Sequence, residues 1–451
     1  MKQIILIFLH TSLWADLGLQ EGLYFSPDCN VSFNIHYKDY KNSFVYSIGG
    51  VEDNYEYKLN PTMSGMTFTK HFYYENEKKK GNVFAVINPK SNTRFTLQNR
   101  WDNSSKIAFK ACPKFVNYVY VDSVSMVEKE MKKPKNKHSF NNDFIRSLVE
   151  AFPLRKSNVT TYNNLAYHLS KKGAYDAALS LLWMITKRFP NRTVAHLNYA
   201  DNIVKFNELN NKDYSYDLKK AKHSYLTYIA QMLKQKKGSK IPKQIEQKYK
   251  KYYKFLKVLN ENIPQDYQIL YLTEGDLNAD SKKDLSVVIE YTNLSKIENT
   301  SNIWERPTNK NERIWLVFLA HNKSYYLFSK NEKLIEADEY TNCDDNFDSI
   351  RIKGTNLFLD THFWCSSGSW EQGSKVYQFI YRDNSLILAG IESEWTHRAS
   401  THGAITSKNF LNKKMKVQST IEFGMPEGKA KWSTLKIDKP IKFEKYRDKH
   451  D

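Results

Sequence analysis

Beyond its first fifteen residues the chain has no stretch long and apolar enough to cross a membrane as a helix. It also lacks a GxSxG nucleophile elbow, a phosphate-binding glycine loop, a dinucleotide fingerprint and any CxxC pair. Those absences set aside the hydrolases, nucleotide-binding enzymes and zinc modules that such motifs mark. Acidic residues are in deficit, 49 against 68 Lys and Arg, for a formal net charge of +19. An excess of that size raises nucleic acid or an anionic surface as a partner. Here Lys far outnumbers Arg and Asn, Tyr, Ile and Phe are abundant, so an AT-rich coding sequence accounts for much of the charge. Phosphate readers favour Arg forks, and no nucleic-acid partner is expected.

Cysteine is scarce too, at 4 in 451 residues. Cys29 and Cys112 bracket the first β-rich region, and Cys343 and Cys365 lie close together in the last. An even count, one pair per region, suits two disulfides in an oxidising compartment; free buried thiols are the alternative. The first fifteen residues, MKQIILIFLHTSLWA, agree with that compartment. One Lys, an apolar run from Ile4 to Leu9 and a small residue at Ala15 predict a secretory signal peptide, with a buried N-terminal strand as the competing reading. The expectation is an exported chain without a transmembrane segment, periplasmic or secreted.

What is present is enough apolar surface, 41% hydrophobic and 14% aromatic, to build two or three domains. Residues 16–127 alternate in the strand manner, as in Val31–Lys38, Ser43–Ile48, Asn82–Asn88, Arg94–Gln98 and Phe115–Val121, and predict an antiparallel sandwich or barrel closed by Cys29–Cys112. Residues 128–142 are a Lys-rich, polar run containing Pro134, which reads as a linker. Asn142 or Asp143 then caps a short helix carrying Phe144, Leu148 and Val149.

The stretch Val159–Arg192 changes period. Tyr162, Leu165, Ala166 and Leu169, then Tyr175, Ala178, Leu182 and Ile185 after Gly173, are spaced as two helical faces joined by a turn, and Pro190 stops the second helix. With small residues at Ala166 and Ala178, this stretch resembles one tetratricopeptide (TPR) repeat. His196, Tyr199, Ala200 and Ile203 begin a second unit in phase, whose turn is lengthened by Asn207–Asp217. A last helical segment, Ile241–Leu259, sets Ile245, Tyr249, Tyr252, Leu256 and Leu259 against a Lys-rich face. It reads as a solvated capping helix, the alternative being a helix lying on an anionic membrane surface.

Between two strand patterns, Tyr267–Glu274 and Asp284–Tyr291, stands the loop Asp276-Leu-Asn278-Ala-Asp280-Ser-Lys-Lys-Asp284. Oxygen side chains at loop positions 1, 3, 5 and 9 have the spacing of a turn wrapped round a hard cation, and Asp276, Asn278, Asp280 and Asp284 are the candidate ligands of a structural, weakly bound Ca2+. Ser281 stands where the sharp turn favours glycine, and an Asx-rich turn bonded to its own backbone is the alternative. The strand–loop–strand setting resembles the calcium loops of FG-GAP (integrin-like, VCBS-type) repeats. Further short strands at Ile314–Ala320, Ser324–Phe328, Ile350–Lys353, Asn356–Phe363, Lys375–Arg382 and Ser385–Glu392 extend a mostly β domain to the C-terminus.

The expected fold class is therefore multi-domain α+β. A signal peptide (1–15) is followed by an N-terminal β domain (16–127), the linker (128–142), a TPR-like helical domain (143–262) and an FG-GAP-like β domain (263–451). Neither resemblance brings catalytic residues. Ser366, Ser367 and Ser369 lie near His362, His397 and His402 in the sequence, but a triad needs a nucleophile on a strained elbow and an oxyanion hole. The expected function is a non-catalytic interaction protein that presents its helical block to a protein or peptide, an immunity or inhibitor protein or an envelope scaffold. The alternatives are a cell-envelope hydrolase using the Ser/His-rich region, or a basic module holding anionic envelope polymer or lipid.

Overall fold

The computed structural model describes residues 19–35, 43–44, 56–62, 65–74, 77–79, 83–99, 113–133, 140–210, 215–298, 307–338, 340, 342–421 and 424–448. The protein is mixed α and β, and its chain divides into two compact units, Met1–Leu181 and Leu182–Asp451. No helix among the described residues is long and apolar enough to cross a membrane.

The first unit opens with strands β1 (Gly22–Ser26), β2 (Cys29–Ile35), β3 (Ser43–Phe44), β4 (Glu56–Thr62), β5 (Gly65–Tyr74), β6 (Glu77–Lys79), β7 (Val83–Ser91), β8 (Arg94–Asn99) and β9 (Phe115–Tyr120). They form one sheet in the order β2-β1-β9-β8-β7-β5-β4-β3, with β6 on β5. Tyr24, Phe25, Phe95, Leu97, Val116 and Tyr118 are buried, and Phe95 stacks on Tyr118 at 4.9 Å. Cys29 is buried; its expected partner Cys112 lies outside the described residues.

Helix α1 (Val124–Lys132) follows, so the Lys-rich run opens as helix rather than linker. Ser123 caps it by accepting the Met126 N–H at 3.2 Å, and Val124, Val127 and Met131 bury its apolar stripe. In α2 (Asn142–Ala151) the cap is Asn141, one residue before the expected position, whose Oδ1 accepts the Phe144 N–H at 3.1 Å. Phe144 and Phe140 meet edge to face at 5.2 Å and both pack on Phe25 of β1. Helices α3 (Val159–Lys171) and α4 (Tyr175–Arg188) flank Gly173, whose φ of +82° is the left-handed conformation that a side chain resists. Ala166 and Ala178 are fully buried, and α3 has α1 as a close helical neighbour.

In the second unit α5 (Thr193–Asn210) and α6 (Ser215–Lys234) pack closely along their lengths. The lengthened turn expected over Asn207–Asp217 is mostly helix: only residues 211–214 separate the two. The capping segment is α7 (Lys243–Tyr249), a 3₁₀ turn and α8 (Tyr253–Asn262).

The strands are β10 (Tyr267–Gly275), β11 (Asp284–Tyr291), β12 (Ile297–Glu298), β13 (Thr308–Asn309), β14 (Arg313–His321), β15 (Ser324–Asn331), β16 (Phe347–Lys353), β17 (Asn356–Phe363), β18 (Glu371–Arg382), β19 (Ser385–His397), β20 (Gly403–Asn409), β21 (Lys414–Ile421) and β22 (Met425–Thr434). They make a four-stranded sheet, β10-β11-β14-β15, and a seven-stranded antiparallel sheet running from β16 to β22 in sequence order; β12 and β13 pair separately.

One core joins these two sheets: Val288, Trp315 and Val317 from the first meet Ile350, Leu359, Tyr377, Phe379 and Leu388 from the second. Trp315 sits edge on to Phe379 at 5.7 Å and donates its indole N–H to Ser286 Oγ at 2.7 Å. On the other side of the four-stranded sheet Phe255 of α8 meets Phe318 at 5.2 Å. Strands β11 and β14 are therefore covered on both faces, which is why consecutive rather than alternate residues are buried along them. The far strands β20, β21 and β22 are mostly half-buried or exposed.

Candidate functional site

Strand β10 is the outer strand of its sheet, and an open edge leaves backbone donors and acceptors without a ladder. Helix α6 fills that need with three side chains one turn apart. His223 Nε2 accepts the Leu272 N–H at 3.1 Å, Thr227 Oγ1 accepts the Ile269 N–H at 2.9 Å, and Gln231 Nε2 donates to the Tyr267 carbonyl at 3.3 Å. The 223, 227, 231 spacing puts all three on one face of the helix.

Next to this seam lies a cleft of about 380 Å³. One part of its lining is helical, with the cations Lys187 at the end of α4 and Lys219 and Lys220 on α6, and His196 on α5. The other part carries Asp344 and Asp345 from the segment entering β16, Asp348 from β16 and His362 from β17. His362 Nδ1 and Asp348 Oδ1 are 2.7 Å apart, and Asp344 stands 3.8 Å from His362 Nε2. Burial raises the Asp348 pKa, against the pull of His362.

Two buried histidines serve the helical wall as neutral rings. His196 Nε2 lies 2.7 Å from the Pro190 carbonyl, so that nitrogen holds the proton. His223 accepts on Nε2, so its proton is on Nδ1. Burial lowers their pKa values to about 4 and about 3 respectively.

Behind the acidic wall sits a closed ionic network. Arg313 is almost fully buried and donates through Nε to Glu290 Oε1 at 2.9 Å and through both terminal nitrogens to Asp345 at 2.6 and 2.7 Å. Glu290 Oε2 accepts from Gln268 at 2.6 Å and Asn309 at 2.8 Å. Burial alone would raise the Asp345 pKa, but the Arg313 charge and its two hydrogen bonds bring it down to about 2.

The acidic loop closes on its own backbone. Asp276 accepts the N–H groups of Asp280 and Ser281 at 3.1 and 2.9 Å, and Asn278 Oδ1 is 3.2 Å from the same Asp280 N–H. Asp280 accepts the Lys282 N–H at 2.9 Å and meets its ammonium at 3.2 Å. Asp284 is wholly buried and accepts Leu277 N–H at 2.8 Å and Ala320 N–H at 2.9 Å. Ala279 and Ser281 have φ of +59° and +64°, so the sharp turn is made without glycine. Among the described residues no group of three or more His, Cys, Asp or Glu side chains stands ready for a metal ion.

The serines near Cys365 do not meet the histidines. Ser366 Oγ donates to the Asn342 carbonyl at 3.1 Å and Ser369 Oγ accepts the Glu371 N–H at 3.0 Å, whereas His362 meets Asp348 and His397 Nδ1 meets Ser400 at 3.2 Å. Lysines of the capping segment are drawn onto their own unit. Lys248 lies over Tyr225 and Tyr249, Lys251 lies over Tyr252 and pairs with Glu274 at 3.0 Å, and Lys254 donates to the Lys323 carbonyl.

No family model, curated protein or solved structure matches this chain. Sequence reasoning did not single out the cleft; the one available signal, the polar residues His223, Thr227 and Gln231 at one-turn spacing in α6, acquires meaning only once β10 is seen beside the helix.

Proposed function

We propose that this is an exported, non-catalytic binding protein that engages a protein or peptide partner through its helical block, with the cleft beside α6 as the contact. The apolar N-terminal run and the Cys343–Cys365 disulfide support export. The observation that carries the binding reading is a cleft lined both by Lys187, Lys219 and Lys220 from the helices and by Asp344, Asp348 and His362 from the β region. A cleft lined by charges of both signs selects a polar segment by electrostatic complementarity. The TPR-like reading of the helices and the FG-GAP-like reading of the β region belong to the same proposal. Serines whose hydroxyls bond to backbone lend no support to a hydrolase.

Affinity capture from an envelope extract tests it, with Lys219→Glu/Lys220→Glu as the reversed-charge variant. One stoichiometric protein held by the wild type and lost from the variant is the expected result. Equal capture by both, or none by either, would sink the reading.

A further inference from the structure

At one end of the seven-stranded sheet four large aromatic side chains are exposed on or beside β17, β18 and β19: Phe363, Trp364, Trp370 and Trp395, with exposures of 47, 36, 65 and 44%. Phe363 on β17 is paired in register with Gly373 on β18, and Gly373 with Trp395 on β19. The two rings thus leave the same face of the sheet, two strand spacings or roughly 10 Å apart. The floor between them is bare of necessity: a Cβ on Gly373 would come within 2.3 Å of the Glu394 carbonyl oxygen. Trp370 lies beside His397, two residues further along β19, at 6.3 Å between centroids.

The segment bearing two of these rings is clamped. The Cys343–Cys365 disulfide ties its start. Arg398 then grips it, with its N–H on the Trp370 carbonyl at 2.7 Å, its guanidinium on the Cys365 carbonyl at 2.8 Å and on the Ser369 carbonyl, and its Cζ 5.4 Å from the Trp364 ring. A fixed mount for exposed indoles lowers the entropy cost of stacking a ligand on them.

We propose that this end of the sheet is a saccharide-binding platform for β-1,4-linked pyranose polymers, glucan or amino-sugar. An all-equatorial pyranose offers flat C–H faces to aromatic rings, and the Phe363–Trp395 separation is close to one disaccharide repeat of such a chain. Charges of both signs lie beside the rings, Arg398 over Trp364 and Glu371 and Lys375 two residues to either side of Gly373 on β18, which matches a neutral polyhydroxyl chain better than an anionic surface, despite the chain's +19.

The test is depletion of the full-length protein from solution by cellulose, chitin and peptidoglycan, with anionic phospholipid vesicles alongside. At least one polymer should deplete the wild type, and Trp370→Ala and Trp395→Ala should each weaken that binding tenfold or more with the circular dichroism spectrum unchanged. Trp432→Ala, equally exposed but on β22, should leave it intact, as should Lys219→Glu/Lys220→Glu in the cleft. No depletion by any of the three polymers, retention by both platform variants, or vesicle binding lost in their place would overturn the proposal.

Discussion

His223 on α6 accepts the backbone N–H of Leu272 on β10 at 3.1 Å, so an imidazole stands where a neighbouring strand would offer a carbonyl. The contact requires the neutral ring, and burial lowers the pKa to about 3; His196 behaves alike at about 4. Both folded values lie below the ordinary value near 6.5, so the unfolded chain binds more protons between the two. Their stabilisation is complete above pH 6.5 and is lost as the pH falls toward 4, at up to about 2.7 kcal/mol per pH unit for the two rings together. Denaturant titrations at pH 7.5, 6 and 5 should show that loss. His223→Leu should cost about 1–3 kcal/mol at pH 7.5 by stranding the Leu272 N–H, and should roughly halve the slope. A slope unchanged in the variant would mean that His223 does not titrate as described.

Arg313 should tolerate no substitution. Arg313→Met leaves Glu290 and Asp345 charged and buried without their counter-ion, at a cost of about 3–5 kcal/mol. Arg313→Lys should recover little, since one ammonium cannot reproduce two parallel bonds to Asp345 and a third to Glu290. Thermal unfolding of both variants checks this, and a lysine variant as stable as the wild type would refute it.

Reduction of Cys343–Cys365 should remove about 3 kcal/mol, the chain-entropy value for a bridge 22 residues apart. Peptide mapping of native material under alkylating conditions should find these two residues linked. The pairing of Cys29 with Cys112 is read out in the same experiment.

The acidic loop separates two effects. Asp284→Ala should destabilise by about 1–3 kcal/mol even in chelator, because it strands the N–H groups of Leu277 and Ala320. Calcium at several millimolar should raise the melting temperature if Asp276, Asn278 and Asp280 turn from the backbone to an ion, and Asp280→Ala should then abolish the rise. A curve unchanged by calcium would leave an Asx turn.

Much of the fold was legible because its signals are local. The strand patterns of Tyr267–Glu274 and Asp284–Tyr291 each carry their structure within a few residues. Strand β17 falls on Asn356–Phe363 as its pattern predicts. Where the pattern is faint the reading failed. Helix α1 hides three buried residues in a Lys-rich run, and β20, β21 and β22 were missed because strands largely open to solvent show no alternation between apolar and polar.

The sequence by itself determined that the protein has strands, then helices, then strands, since period and turn chemistry are written into neighbouring residues. Only the tertiary structure decided the sites. Arg313 meets Asp345 across 32 residues, and Gly373 lies between Phe363 and Trp395 only through strand register. His223 finds the Leu272 N–H across 49 residues. A backbone donor is the same group at every position, so nothing in composition or spacing says which imidazole will meet which N–H until the helix is laid along the edge of the sheet.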